Sequence, residues 1–171
     1  MTITNSNKIF KFFIIYLPII LLFTSVLNEF DFNHLGTKYF SFNFSYILIF
    51  YYSLKRNKSL GYGLIFIAGL FNDVVAGSLI GISSFNFLLI CGFAAYLRNI
   101  TLRPSLIKDW IFFLITISVI NSLSYMLMTF IFGSKMNYFD ILVNTLFTFL
   151  FYFIFSFLFN IFEEKFIGRQ E

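Results

Sequence analysis

Two stretches of the chain, Trp110 to Phe132 and Ile141 to Phe162, contain no Asp, Glu, Lys or Arg. Each exceeds the roughly 18 apolar residues that read as a membrane-spanning helix. The rest of the 171 residues follows the same pattern: 59% are hydrophobic, only 12% are charged, and the mean hydropathy is +0.86. No ordinary soluble domain has that composition. The sequence therefore predicts an all-α integral membrane protein, a six-transmembrane-helix bundle that forms a single membrane domain over residues 1–171. The expected spans are about 12–27, 39–54, 60–76, 79–97, 110–132 and 141–162. Phe accounts for 29 residues and Ala is scarce, a bias that AT-rich coding produces without a functional cause.

Basic residues fix an orientation. With the N-terminus inside, the inner segments hold Lys8, Lys11, Lys55, Arg56, Lys58, Arg98, Arg103, Lys108, Lys165 and Arg169, and the outer loops hold only Lys38 and Lys135. That asymmetry puts both termini in the cytoplasm. Merging the third and fourth runs would place basic clusters 55–58 and 98–108 on opposite sides. Tyr52, Tyr62, Tyr96 and Trp110 then fall near the inner interface, where amphipathic rings settle. Lys8 and Lys11 precede an apolar run that ends Thr24-Ser25-Val26-Leu27-Asn28-Glu29 without a small-x-small site, so the N-terminus reads as a retained signal anchor.

Several function classes lose support. The basic residues are topology signals in short clusters, not a nucleic-acid surface. Cys91 has no second cysteine to pair with, which removes disulfide and thiolate-metal chemistry and leaves a small buried hydrophobe. His34 near Glu29 and Asp31 reads as a solvated loop rather than a metal site. There is no HExxH, GxSxG or P-loop, so the chain is read as a non-enzyme without cofactor or metal.

One acid interrupts an apolar run. Asp73 lies in Gly69-Leu70-Phe71-Asn72-Asp73-Val74-Val75-Ala76-Gly77-Ser78-Leu79-Ile80-Gly81, where an Asp at a bilayer centre costs about 2.5–3.5 kcal/mol on insertion scales. Gly69, Asp73, Gly77 and Gly81 would share one helical face if the helix continued. A turn there would break the stripe, and the glycines would still permit reversal and close helix approach. Three readings of Asp73 stand side by side: a cap or hydrogen-bond acceptor for the turn and the start of the fourth helix, a partner contact, and an ion or proton relay. Under the first, Asp73→Asn keeps most of the folding because an amide still hydrogen-bonds. The remaining intramembrane polar residues, Asn86, Asn121, Ser122, Ser124, Asn144, Thr145 and Thr148, are expected to join helices. The other reading takes Asn86, Asn121 and Asn144 as the wall of a small-molecule pocket.

The pattern Gly69-Leu70, Asp73, Gly77, Leu79, Gly81 resembles the signature of the bacterial rod shape-determining protein MreD family. Ile47-Leu48-Ile49-Phe50-Tyr51-Tyr52-Ser53-Leu54-Lys55-Arg56 is similar to the segment that precedes it there, although many members have Arg-Pro where this chain has Arg56-Asn57. The resemblance implies a non-enzymatic scaffold subunit of the elongation machinery in the inner membrane. It would bind the membrane-anchored MreC and connect it to MreB, RodA and a class B transpeptidase in lateral peptidoglycan synthesis. It also implies a fold similar to the substrate-binding subunits of energy-coupling factor transporters, so a vitamin- or metal-binding importer subunit is the alternative function. In the scaffold reading, the third and fourth spans form a hairpin that holds a helix face against a partner's transmembrane helix.

Overall fold

The computed structural model describes residues 16–27, 41–55, 60–101, 105–133 and 137–167, with side chains of the last segment through Phe162. Every regular element among them is helical: α1 (Tyr16–Leu27), α2 (Phe44–Lys55), α3 (Tyr62–Val75), α4 (Ile82–Ile100), α5 (Leu106–Met126) and α6 (Tyr138–Ile167). α5 runs on into a π-helical turn, Leu127–Ile131. The α5 unit through Ile131 and α6 through Phe162 are long and apolar enough to cross a membrane. The loop with Glu29, Asp31 and His34, and the basic residues Arg56, Lys58 and Arg103, lie outside the described residues.

α2 is the centre of the bundle. Ile47, Leu48, Ile49, Phe50 and Tyr51 are all fully buried, so no face of this helix is left for solvent or lipid. It packs on α4 and α6, α4 packs in turn on α3 and α5, and α5 pairs with α6. α1 reaches this core through the Ser25–Ser45 hydroxyl pair at 2.9 Å and an edge contact of Phe23 with Phe71. Tyr52, near the C-terminal end of α2, packs inside the core at 3% exposure.

The phenylalanines have a packing role that composition did not reveal. Phe151, Phe155 and Phe159 recur every four residues and so line one face of α6. They meet Phe42 and Phe44 of the α2 segment and Tyr51 at centroid distances of 4.5, 4.7 and 5.1 Å. Deeper, Phe50, Phe113 and Tyr152 tie α2, α5 and α6 together, with Phe113 stacked on Tyr152 at 4.2 Å. Each such pair contributes about 0.5–1.5 kcal/mol beyond its burial.

α5 begins at Leu106, a turn ahead of the expected Trp110, and so includes Asp109. Leu106 and Ile107 extend the apolar pattern backwards, and an acid in the first turn is favoured by the positive end of the helix dipole. A criterion that stops an apolar run at its first charge places this start too late.

Candidate functional site

α3 ends where its sequence turns to glycine. Gly77 takes a left-handed φ of 62°, the conformation that closes a helix, and Ala76 is the last half-helical residue. The Ser78 N–H then donates to the Asp73 carbonyl at 2.9 Å and the Gly77 N–H to the Val74 carbonyl at 3.4 Å, a paired C-cap that satisfies the terminal carbonyls. The chain reverses within a few residues and α4 starts after Gly81, whose φ of 105° is also left-handed. Gly81 has no side chain to cap α4, so the orphan N–H groups of that helix start need an acceptor from elsewhere.

Asp73 supplies it. Its side chain is fully buried, and Oδ1 accepts from the Ser83 N–H at 3.0 Å and from the Ser78 hydroxyl at 3.0 Å. Oδ2 accepts from the Gly81 N–H at 2.6 Å. In a capping box two side chains share these tasks, one taking an N–H inside the helix and the other the N–H of the cap residue. Here a single carboxylate does both from the preceding helix. Its negative charge also lies at the positive end of the α4 dipole. Asn72 adds a neighbouring link, donating to the Ser83 hydroxyl at 3.0 Å.

Gly69 acts differently from the other two glycines. A Cβ at this position would lie 2.3 Å from the Ser84 Cα and 2.5 Å from the Ser84 nitrogen. α3 and α4 therefore touch backbone to backbone, and Ser84, fully buried, fixes the crossing by donating to the Phe66 carbonyl at 3.0 Å. The structure thus gathers Gly69, Asp73, Gly77 and Gly81 at one end of the α3–α4 pair. The turn at Gly77 breaks their common helical stripe.

The three asparagines have separate hydrogen-bond partners. Asn86 donates to the Tyr46 hydroxyl at 3.3 Å and accepts from the Ser124 hydroxyl at 2.8 Å, linking α4 to α2 and α5. Asn144 accepts from Asn43 Nδ2 at 3.0 Å and donates to the Ser41 hydroxyl at 2.9 Å. Asn121 donates to the Thr145 hydroxyl at 2.7 Å. Only Asn121 lines the cavity of about 390 Å³ between α5 and α6, alongside Ser118, Ser122, Tyr138, Thr145 and apolar neighbours.

Sequence reasoning passed over several bonded residues. Asn43 pairs with Asn144, and its own N–H donates to the Thr148 hydroxyl at 3.0 Å. Arg98 donates to the Ser53 carbonyl at 3.1 Å, near the C-terminus of α2 where a cation is favoured. Trp110 donates its indole N–H to the Phe149 carbonyl at 2.9 Å while stacking on the Phe149 ring at 4.4 Å. Lys55 donates to Asn160 Oδ1, which also accepts from the Tyr51 hydroxyl. Cys91 is a free, buried thiol that meets the Ser53 hydroxyl at 3.2 Å.

The family model for rod shape-determining protein MreD matches residues 6–167. No curated protein and no solved structure matches the chain, so a likeness to energy-coupling factor subunits rests on no structural match. The family match covers the whole α3–α4 turn and nearly everything around it, and the chain belongs to the MreD family of rod shape-determining proteins.

Proposed function

We propose that this chain is a non-enzymatic scaffold subunit of the bacterial cytoplasmic membrane that serves rod shape by holding an MreC-like single-span coiled-coil protein. Through that partner it connects to MreB, RodA and a class B transpeptidase in lateral peptidoglycan synthesis. The bundle crosses the bilayer six times with both termini inside, as the inner clustering of Lys and Arg favours.

The observation that carries this reading is the use made of Asp73. Its three donors, Ser78, Gly81 and Ser83, come from its own chain, and its side chain is fully buried. A carboxylate occupied in this way is an architectural part and not a relay. α3 has 14 residues, about 21 Å, against a hydrocarbon core of about 30 Å. The turn after it therefore lies below the membrane surface, where non-helical backbone persists only if protein satisfies it. Asp73 does so, and the α3–α4 hairpin becomes a fixed end of the scaffold.

The importer alternative draws on Asn86, Asn121 and Asn144 as one pocket, and their separate hydrogen-bond partners favour helix joining instead. Co-purification in mild detergent tests the scaffold. The chain is expected to carry the single-span coiled-coil partner with it when both are expressed. Absence of the partner from a folded, intact preparation would sink the proposal, as would nanomolar thermal stabilisation by a vitamin or metal.

A further inference from the structure

The α3–α4 hairpin is apolar almost from end to end. Between Tyr62 and Tyr96 its only charged side chain is Asp73, which is fully buried. Its exposed side chains include Phe66, Phe71, Val74 and Leu79, and the most open of them, Ile80 at 75%, is in the turn itself. At the opposite end Tyr62 and Tyr96 are exposed and Arg98 follows, the pattern of a membrane interface.

The hairpin is also short. α3 has 14 residues and rises about 21 Å from Tyr62 to the turn, and the rise from Tyr96 back to Ile82 is again about 21 Å. The hydrocarbon core of a bilayer measures about 30 Å. With the tyrosines at the inner interface, a flat bilayer would leave the turn roughly 9 Å below its outer boundary. The α5 unit of 26 residues, about 39 Å long, has no such deficit.

The turn does not suit hydrocarbon. Asp73 answers the N–H groups of Gly81 and Ser83, but among the described residues those of Leu79 and Ile80 donate to nothing. Lipid tails offer no acceptor, and each dry backbone donor costs several times the strain of thinning a bilayer by an ångström. Open water does not suit the turn either, because it would meet Val74, Leu79 and Ile80, all exposed. The ester and phosphate region of a phospholipid meets both demands, with acceptor oxygens directly beside apolar chains.

We propose that the α3–α4 turn is a phospholipid contact: the outer leaflet dips to meet it, and an ester or phosphate oxygen accepts from the Leu79 and Ile80 N–H groups. This rests on the six-span reading above and adds a lipid partner to it. The bilayer is then thin beside α3 and α4 and of ordinary thickness beside α5 and α6.

Spin labels at Ile80→Cys and Tyr96→Cys, in the full chain reconstituted into dioleoylphosphatidylcholine vesicles, test the assignment through the relaxation of the lipid phosphorus. Val119→Cys, exposed near the middle of α5, is the control. Cys91→Ala removes the native thiol; if that background does not fold, the wild type serves, because Cys91 is buried. The Ile80 and Tyr96 labels are expected to speed phosphorus relaxation to a similar degree, each several-fold more than the Val119 label. An Ile80 label no stronger than Val119 would place the turn in hydrocarbon under a flat leaflet and overturn the proposal. A strong Ile80 label beside a weak Tyr96 label overturns it too, since the hairpin has then shifted outward without thinning the bilayer. So does an Ile80 label that relaxes water protons but not phosphorus, which would make water the acceptor. Each of these outcomes leaves the six-span reading in place, whereas Val119 and Tyr96 labels that both sit in bulk water overturn that reading itself.

Discussion

Replacing Asp73 by Asn separates two accounts of the α3–α4 turn. Sequence alone suggests a mild change, because an amide still hydrogen-bonds. The geometry predicts otherwise. The carboxylate accepts on both oxygens, from Ser83 and Ser78 on one and from Gly81 on the other. An amide of the same shape has one acceptor, so whichever way it turns, its NH2 faces a backbone N–H. With the amide oxygen kept toward Ser83, the Gly81 N–H loses its charge-assisted bond, at about 1.5–3 kcal/mol. Loss of the charge at the start of α4 adds about 0.3–2 kcal/mol. The expected destabilisation is about 2–5 kcal/mol, or roughly 10 °C in the apparent Tm of a chain this size. Asp73→Leu leaves all three donors without their acceptor and should cost about 4–6 kcal/mol. Thermal unfolding of the purified full chain in one detergent checks the order wild type, Asn, Leu. An Asn variant within a degree or two of wild type would refute the two-acceptor argument. Asn and Leu falling together would mean that the charge alone holds the turn.

Gly69→Ala puts a methyl 2.3 Å from the Ser84 Cα, a backbone atom that cannot step aside, so α3 and α4 must separate. The expected cost is about 1–3 kcal/mol from overpacking, read as a lower Tm and easier proteolysis at the 76–81 turn. Gly81→Ala meets nothing within 4 Å yet requires φ of 105°, so its cost is backbone strain alone, about 1–2 kcal/mol. In the same unfolding assay it should fall between wild type and Asp73→Leu. Trp110→Phe keeps most of the stacking on Phe149 but loses the indole hydrogen bond, which should lower stability by about 0.5–1.5 kcal/mol. A drop as large as that of Asp73→Asn would show that the ring packing, and not the hydrogen bond, dominates there.

How far the sequence could be read depends on how local each feature is. The helices of the bundle are legible because long charge-free runs leave little choice, and the turn is legible because glycines flank a lone acid. The role of Asp73 as a cap for the turn and the start of α4 is legible too, but its individual donors are not, since they come five to ten residues later and face it only once Gly77 and Gly81 have reversed the chain. The pairing of Asn43 with Asn144 is further out of reach, because it needs α6 returned alongside α2. Asp109 escaped notice because a charge was taken to end the apolar run, whereas a helix start tolerates an acid. The aromatic seam between α2 and α6 looked like composition because its spacing on α6 has meaning only against a known neighbour.

At the α3–α4 end of the bundle, Asp73, Asn72, Ser84 and Asn86 all bond within the chain. A partner that used these groups would have to break existing bonds to make new ones. Asp73 and Gly69 variants should therefore act through the fold: they should lower the stability of the chain and carry partner recovery down with it. A turn variant that released the partner from a fully stable chain would break that expectation.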